Sequence, residues 1–121
     1  MDVPEEIRDA ASALGKSLRQ SDYLRPYLDA IEIFQADPEA RALEMQLYDT
    51  YSSLLTRQQA GEKLSSEETQ AFYDLRRRAQ IHPVISRREN ALRLLKPYLV
   101  QIAEEISALL GMDYTTLARS E

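Results

Sequence analysis

The sequence of 121 residues contains no cysteine and a single histidine, His82. Without thiols there is no disulfide scaffold, no thiol nucleophile and no thiolate-held zinc or iron–sulfur centre. One histidine cannot supply a two-histidine metal site within one chain. Three glycines and five prolines are too few turn residues for a many-stranded β-sandwich or barrel. Basic charge is also short, with Lys and Arg totalling 15 against 20 for Asp and Glu and a net charge of −5. That balance argues against a free-standing nucleic-acid clamp. No apolar run approaches the ~20 residues that span a bilayer, so no membrane insertion is expected. The acidic start, Met1-Asp2-Val3-Pro4-Glu5-Glu6, lacks the basic and apolar regions of a secretory signal, and a cytoplasmic location is the expectation.

What is present describes a folded, helix-rich chain. Apolar residues make up 44% and charged residues 29%, which is a globular composition. The length fits one domain over 1–121. No repeat, low-complexity segment or long linker divides it.

Punctuation residues mark about five helices, giving an all-α class. Pro4 suits a helix first turn, and Ile7, Ala11, Leu14 and Leu18 follow as one apolar stripe. Ser21 is a candidate cap for the second helix, whose face carries Tyr27, Leu28, Ile31 and Phe34, with Pro26 near its start. Asp37-Pro38 opens a long third helix, about 38–60, ended by Gly61. Ser65 and Glu68 read as a capping box for the fourth helix, which His82-Pro83 ends. The fifth helix, 83–110, carries Ile85, Leu92, Leu95, Leu99, Ile102, Ile106 and Leu109 on a heptad seam and stops at Gly111. Pro97 inside it should kink it. The tail, 112–121, is expected to add one short turn or fray.

The third helix has more apolar surface than one neighbour needs. Leu43, Leu47, Tyr48, Tyr51, Leu54 and Leu55 belong to an arc of roughly 140°, with Met45 about 60° beyond Tyr48. With Leu95, Leu99, Ile102 and Ile106 of the fifth helix, these six side chains are the candidate oligomer interface. The expectation is an antiparallel bundle completed by a second chain, as a homodimer or tetramer.

Motifs for catalysis are missing. Gly15, Gly61 and Gly111 lie too far apart for a phosphate-cradling loop, and Gly-x-Ser-x-Gly does not occur. His82 has no acidic residue three positions before it, so the carboxylate–histidine pattern of bundle metal sites is not met. The adjacent pairs Glu5-Glu6, Glu67-Glu68 and Glu104-Glu105 diverge by about 100° on a helix and are no acid/base pairs. A small all-α enzyme would need cationic side chains pointing inward from several helices, whereas the inward seam here is aliphatic. No catalytic residue, cofactor or metal is expected.

Charge, however, is segregated. Residues 1–74 carry −8, residues 75–96 carry +6 and residues 97–121 carry −3. Arg76, Arg77, Arg78, Arg87 and Arg88 form the core of the basic segment. Such a cluster is either a solvated face with salt bridges or a docking patch for an acidic protein or for RNA phosphates. Direct nucleic-acid binding has only Tyr73 and Tyr98 nearby for base stacking.

Four stretches in order carry a resemblance: A-A-S-A-L-G-K-S-L-R-Q-S-D-Y-L-R-P-Y-L-D-A at 10–30, A-D-P-E-A-R-A-L at 36–43, Q-Q-A-G-E-K-L-S-S-E-E at 58–68 and I-H-P-V-I at 81–85. Together they resemble the YlbF/YmcA family of small helical bacterial regulators, named for competence control. The resemblance implies an all-helical subunit that self-associates or joins relatives and has no catalytic activity of its own. It also implies a link to a complex that adjusts an endoribonuclease and so affects RNA processing. Relatives in that complex are associated with cysteine-held iron–sulfur clusters, and this cysteine-free chain carries over none. The family often has Asn before the last-loop proline, where this sequence has His82. The resulting expectation is a non-enzymatic regulatory adaptor acting through helix-mediated protein contacts. The alternative is a nucleic-acid-binding regulator using the basic cluster at 76–88.

Overall fold

A computed structural model describes residues 2–119 of the chain. It is all-α, with six helices and no strand among the described residues: α1 (Glu5–Arg19), α2 (Leu24–Gln35), α3 (Pro38–Gln59), α4 (Ser66–Ile81), α5 (Pro83–Leu110) and α6 (Tyr114–Arg119). The chain divides into two compact units, 29–89 and 1–28 with 90–121.

The helix ends follow the expected cap chemistry. Asp37 accepts the Ala40 N–H at 3.0 Å with Pro38 in the first helical position. The Ser65 hydroxyl accepts the Glu68 N–H at 3.1 Å, and the Glu68 carboxylate accepts the Ser65 N–H at 3.3 Å, closing the capping box. Gly61, at φ +86°, ends α3 in a Schellman motif: its N–H reaches the Gln58 carbonyl and the Glu62 N–H reaches that of Arg57. At the end of α5, Gly111 adopts φ +73° and donates to the Ser107 carbonyl at 2.9 Å. These left-handed positions favour glycine because a Cβ would crowd the backbone.

Two junctions are tighter than local pattern alone implies. The Ser21 hydroxyl donates to the Leu18 carbonyl at 2.7 Å and accepts the Leu24 N–H at 3.1 Å. It thus closes α1 and opens α2, and Pro26 falls in the first turn of α2, where no N–H is needed. His82 ends α4 in an extended conformation, and its Nδ1 accepts the Val84 N–H at 3.3 Å. That is the bond an Asn side chain makes as an N-cap, so histidine here serves the same geometry.

The tail is more ordered than a frayed end. Asp113 caps α6, accepting the Thr115 N–H at 3.2 Å through its side chain and the Leu117 N–H at 3.0 Å through its carbonyl. The Thr116 hydroxyl also donates to its carboxylate and, above all other neighbours, holds the Asp113 pKa below the usual carboxylate range. Ser120 and Glu121 lie outside the described residues. Helix α5 is continuous across Pro97.

In the unit 29–89, α3 and α4 form the closest helix pair. Ala40, Leu43, Leu75, Ala79 and Ile85 make its buried core, with Phe34, Leu47 and Val84 packed around them. The two alanines let the helix backbones approach, and the larger aliphatics fill the remaining volume. In the other unit, Ala91 and Leu95 are buried and Tyr23 stacks on Tyr98 at 4.6 Å and 18°. Helix α1 buries no residue.

Candidate interaction surface

Along α3, Glu44, Leu47, Tyr48 and Tyr51 fall three, four and seven residues from the first, on one face. With Phe72 and Arg76 of α4, one turn apart, they line an open groove of about 520 Å³. Tyr51 and Phe72 pack at 6.0 Å, and Phe72 meets Tyr73 at 5.8 Å. Tyr48 is 68% exposed and Met45, Tyr51 and Leu55 are also exposed. The groove wall is therefore aromatic and aliphatic, with the Arg76 guanidinium and the Glu44 carboxylate as its charged lining.

The basic residues separate into two groups. Arg76, Arg77, Arg78 and Arg87 are exposed, and only Arg77 has an acidic neighbour within the described residues, Asp74 at 3.9 Å. Arg88 is different. Its side chain is 17% exposed, lies over the Phe34 ring at 4.3 Å and pairs with Glu44 and with Glu89, the latter at 3.0 Å. Burial alone would lower its pKa, and the hydrogen bonds to Glu44 and Glu89 outweigh that and raise it. Arg88 is thus held by the packing of its own unit, leaving four arginines on the surface.

A second charged clasp fixes the α3–α4 connection. Arg57 pairs with Glu62 at 3.1 Å and grips Glu68 with both terminal nitrogens. The Arg57 hydrogen bond first, and then the Ser65 N–H, pull the Glu68 pKa down to about 2. Glu68 and Glu62 in turn raise the Arg57 pKa, with the Glu68 hydrogen bond the largest cause.

The expected interface residues fall in different places. Leu43 and Leu95 are buried within the chain, so they are core side chains. Leu47, Leu54, Ile102 and Ile106 are half-buried, and Tyr48, Tyr51, Leu55 and Leu99 are exposed. The α3 group belongs to the unit 29–89 and the α5 group to the other, so they are described as two faces rather than one. On the second face, Leu14 of α1 with Tyr98, Gln101, Ile102, Glu105 and Ile106 of α5 line a groove of about 480 Å³. Sequence reasoning missed Glu44 and Phe72 as groove residues. No local signal could find Glu44, because its partner Arg88 lies 44 residues away. Phe72 was legible only as an apolar position on α4.

These features define a class: an all-helical protein with open apolar grooves on its helix faces and surface arginines beside one of them. The chain belongs to the family described as control of competence regulator ComK, YlbF/YmcA, which matches residues 7–110. That family is a regulatory one and not a known enzyme family. The chain is also similar to UPF0342 protein LBA1592 of Lactobacillus acidophilus, 34% identical over 74 residues. The match covers 61% of this chain and 64% of that protein. No solved structure matches the chain. Among the described residues, no helix is long and apolar enough to cross a membrane.

Proposed function

We propose that the protein is a non-enzymatic regulatory adaptor of the cytoplasm, working through helix-face contacts with other proteins in endoribonuclease-dependent RNA processing. The observation that carries this reading is the α3–α4 groove, where exposed Tyr48 and Tyr51 flank Phe72 and Arg76. Tyr and Arg beside an apolar pocket are the residue types that dominate protein–protein binding energy. Family membership supports the regulatory part, and the family resemblance supplies the endoribonuclease and the relatives as partners. The sharing of α2 and α5 between the two units supports 1–121 acting as one domain.

The test is capture from the native cell with the wild-type chain and with Tyr51→Ala/Arg76→Ala. Recovery of an endoribonuclease or family relatives by the wild type, and their loss with the double variant, supports the reading. Equal recovery by both overturns the groove as the docking site.

A second reading is favoured by the exposure of Arg76, Arg77, Arg78 and Arg87. Four surface guanidiniums can contact RNA phosphates, and such binding weakens steeply with salt. A salt-titrated RNA shift assay decides it, since a flat response to salt removes phosphate contacts from consideration.

A further inference from the structure

We infer that the α3–α4 groove takes an amphipathic helix of a partner protein, one that carries an apolar anchor and, one turn away, an acidic side chain seated on Arg76. This rests on the adaptor reading and gives its partner a chemistry. Peptide preference and partner recovery are separate readouts, so the two fail separately.

The groove has two unlike ends. Tyr51 meets Phe72 and, farther along, Arg57 meets Glu68, so α3 and α4 run antiparallel. Tyr51 and Phe72 therefore make an aromatic end, and Glu44 and Arg76 a charged one. Leu47 lines the groove and also packs against the buried core, so the site is built before a partner arrives. Glu44 to Tyr51 spans about 10 Å at 1.5 Å per residue, which suits two turns of a docked helix.

Only one of the charges is free. Glu44 is engaged by Arg88, which is itself held over the Phe34 ring. Arg76 is exposed and pairs with no carboxylate among the described residues. The charged end thus presents an uncompensated guanidinium beside an apolar wall, complementary to a carboxylate carried on an apolar face. Phe72 and Arg76 stand one turn apart, about 6 Å, so a helix laid along them matches an anchor and an acid one turn apart.

The occupant is helical because both walls are helices. They offer no strand edge, and an extended segment would bury its own amides unpaired, whereas a helix satisfies them internally. RNA fits less well. Arg76, Arg77 and Arg78 are consecutive on α4 and diverge by about 100° each, so they form no row that tracks a phosphate backbone. The net charge of −5 also opposes a polyanion.

The test is a displayed library of amphipathic helices, randomised on one face and selected on the full chain and on Arg76→Glu. The wild type is expected to enrich an apolar residue with Asp or Glu three or four positions away. Arg76→Glu is expected to replace that acid by Lys or Arg, with unchanged helicity by circular dichroism. A synthetic peptide of the selected sequence should bind Arg76→Gln about tenfold more weakly, and its version with Gln for the acid should bind both chains alike. Selection of no acid, or of the same sequences by Arg76→Glu, overturns the inference. So does equal weakening of the acidic and Gln peptides. Displacement of the peptide by a single-stranded RNA oligonucleotide, steeply weakened by salt, overturns it in favour of RNA. Absence of an acid preference, with recovery from the cell still dependent on Tyr51 and Arg76, removes this inference alone. A clear acid preference, with recovery untouched by Tyr51→Ala/Arg76→Ala, removes the groove from the adaptor reading alone.

Discussion

The unit 29–89 and the unit made of 1–28 and 90–121 are built from the same kinds of helix but differ in what those helices bury. In the first, α3, α4 and the start of α5 enclose five buried apolar side chains and are pinned by two charged clasps. In the second, Ala91 and Leu95 are buried, one tyrosine pair stacks and α1 buries nothing. Amphipathic spacing therefore does not rank helices by burial. It says which side of a helix seeks cover, and the cover itself depends on which neighbours the chain brings near.

The largest expected difference comes from truncating one leucine in each unit. Leu75→Ala should destabilise by about 2–5 kcal/mol through lost burial and the cavity left behind. Leu14→Ala, at a side chain left 43% exposed, should stay within about 0.5 kcal/mol. Urea unfolding of both variants checks this, and equal losses would mean that both units are cores of similar depth.

A smaller effect separates the two kinds of arginine. Arg88→Met should cost about 1–2 kcal/mol, because it removes the contact with the Phe34 ring and leaves Glu44 without its partner. Arg77→Met should change unfolding by at most about 0.5 kcal/mol, since its pairing with Asp74 is exposed and long.

The smallest effect is a pH dependence. The Glu68 pKa is lowered in the folded chain from 4.5 to about 2. Its ionised form is favoured on folding, so the contribution is fully present above pH 4.5 and is lost as pH falls toward 2. The melting temperatures of wild type and Arg57→Met should differ modestly at neutral pH and converge on acidification through that window. A constant offset across the window would show that Arg57 acts through packing rather than through the Glu68 carboxylate.

Much of the fold was legible because cap chemistry is local. Asp37, Ser65, Gly61 and Gly111 each act within about five residues, and each ends or begins a helix where expected. The order in α6 was less legible, since it depends on Asp113 gathering several bonds at once and on the Ser107 hydroxyl accepting the Tyr114 N–H at 2.8 Å. The site was half legible. The α3 stripe pointed to Tyr48 and Tyr51, but the charge run could not distinguish Arg88 from Arg87. One residue of helical turn decides which guanidinium faces Phe34 and which faces outward, and the deciding partners come from α2 and α3.

The Ser21 hydroxyl carries a consequence for how this chain can change length. One oxygen bonds backward to Leu18 and forward to Leu24, so a residue inserted on either side severs a bond and rotates one helix by about 100° against the other. The connection after Gly61 is held more loosely: α3 is already closed by its own Schellman bonds, and α4 begins from its own capping box. What joins them is the long Arg57 side chain on the Glu68 carboxylate, which can follow a change in spacing. Length variation in related chains should therefore accumulate between positions 62 and 64 and avoid the stretch 19–24.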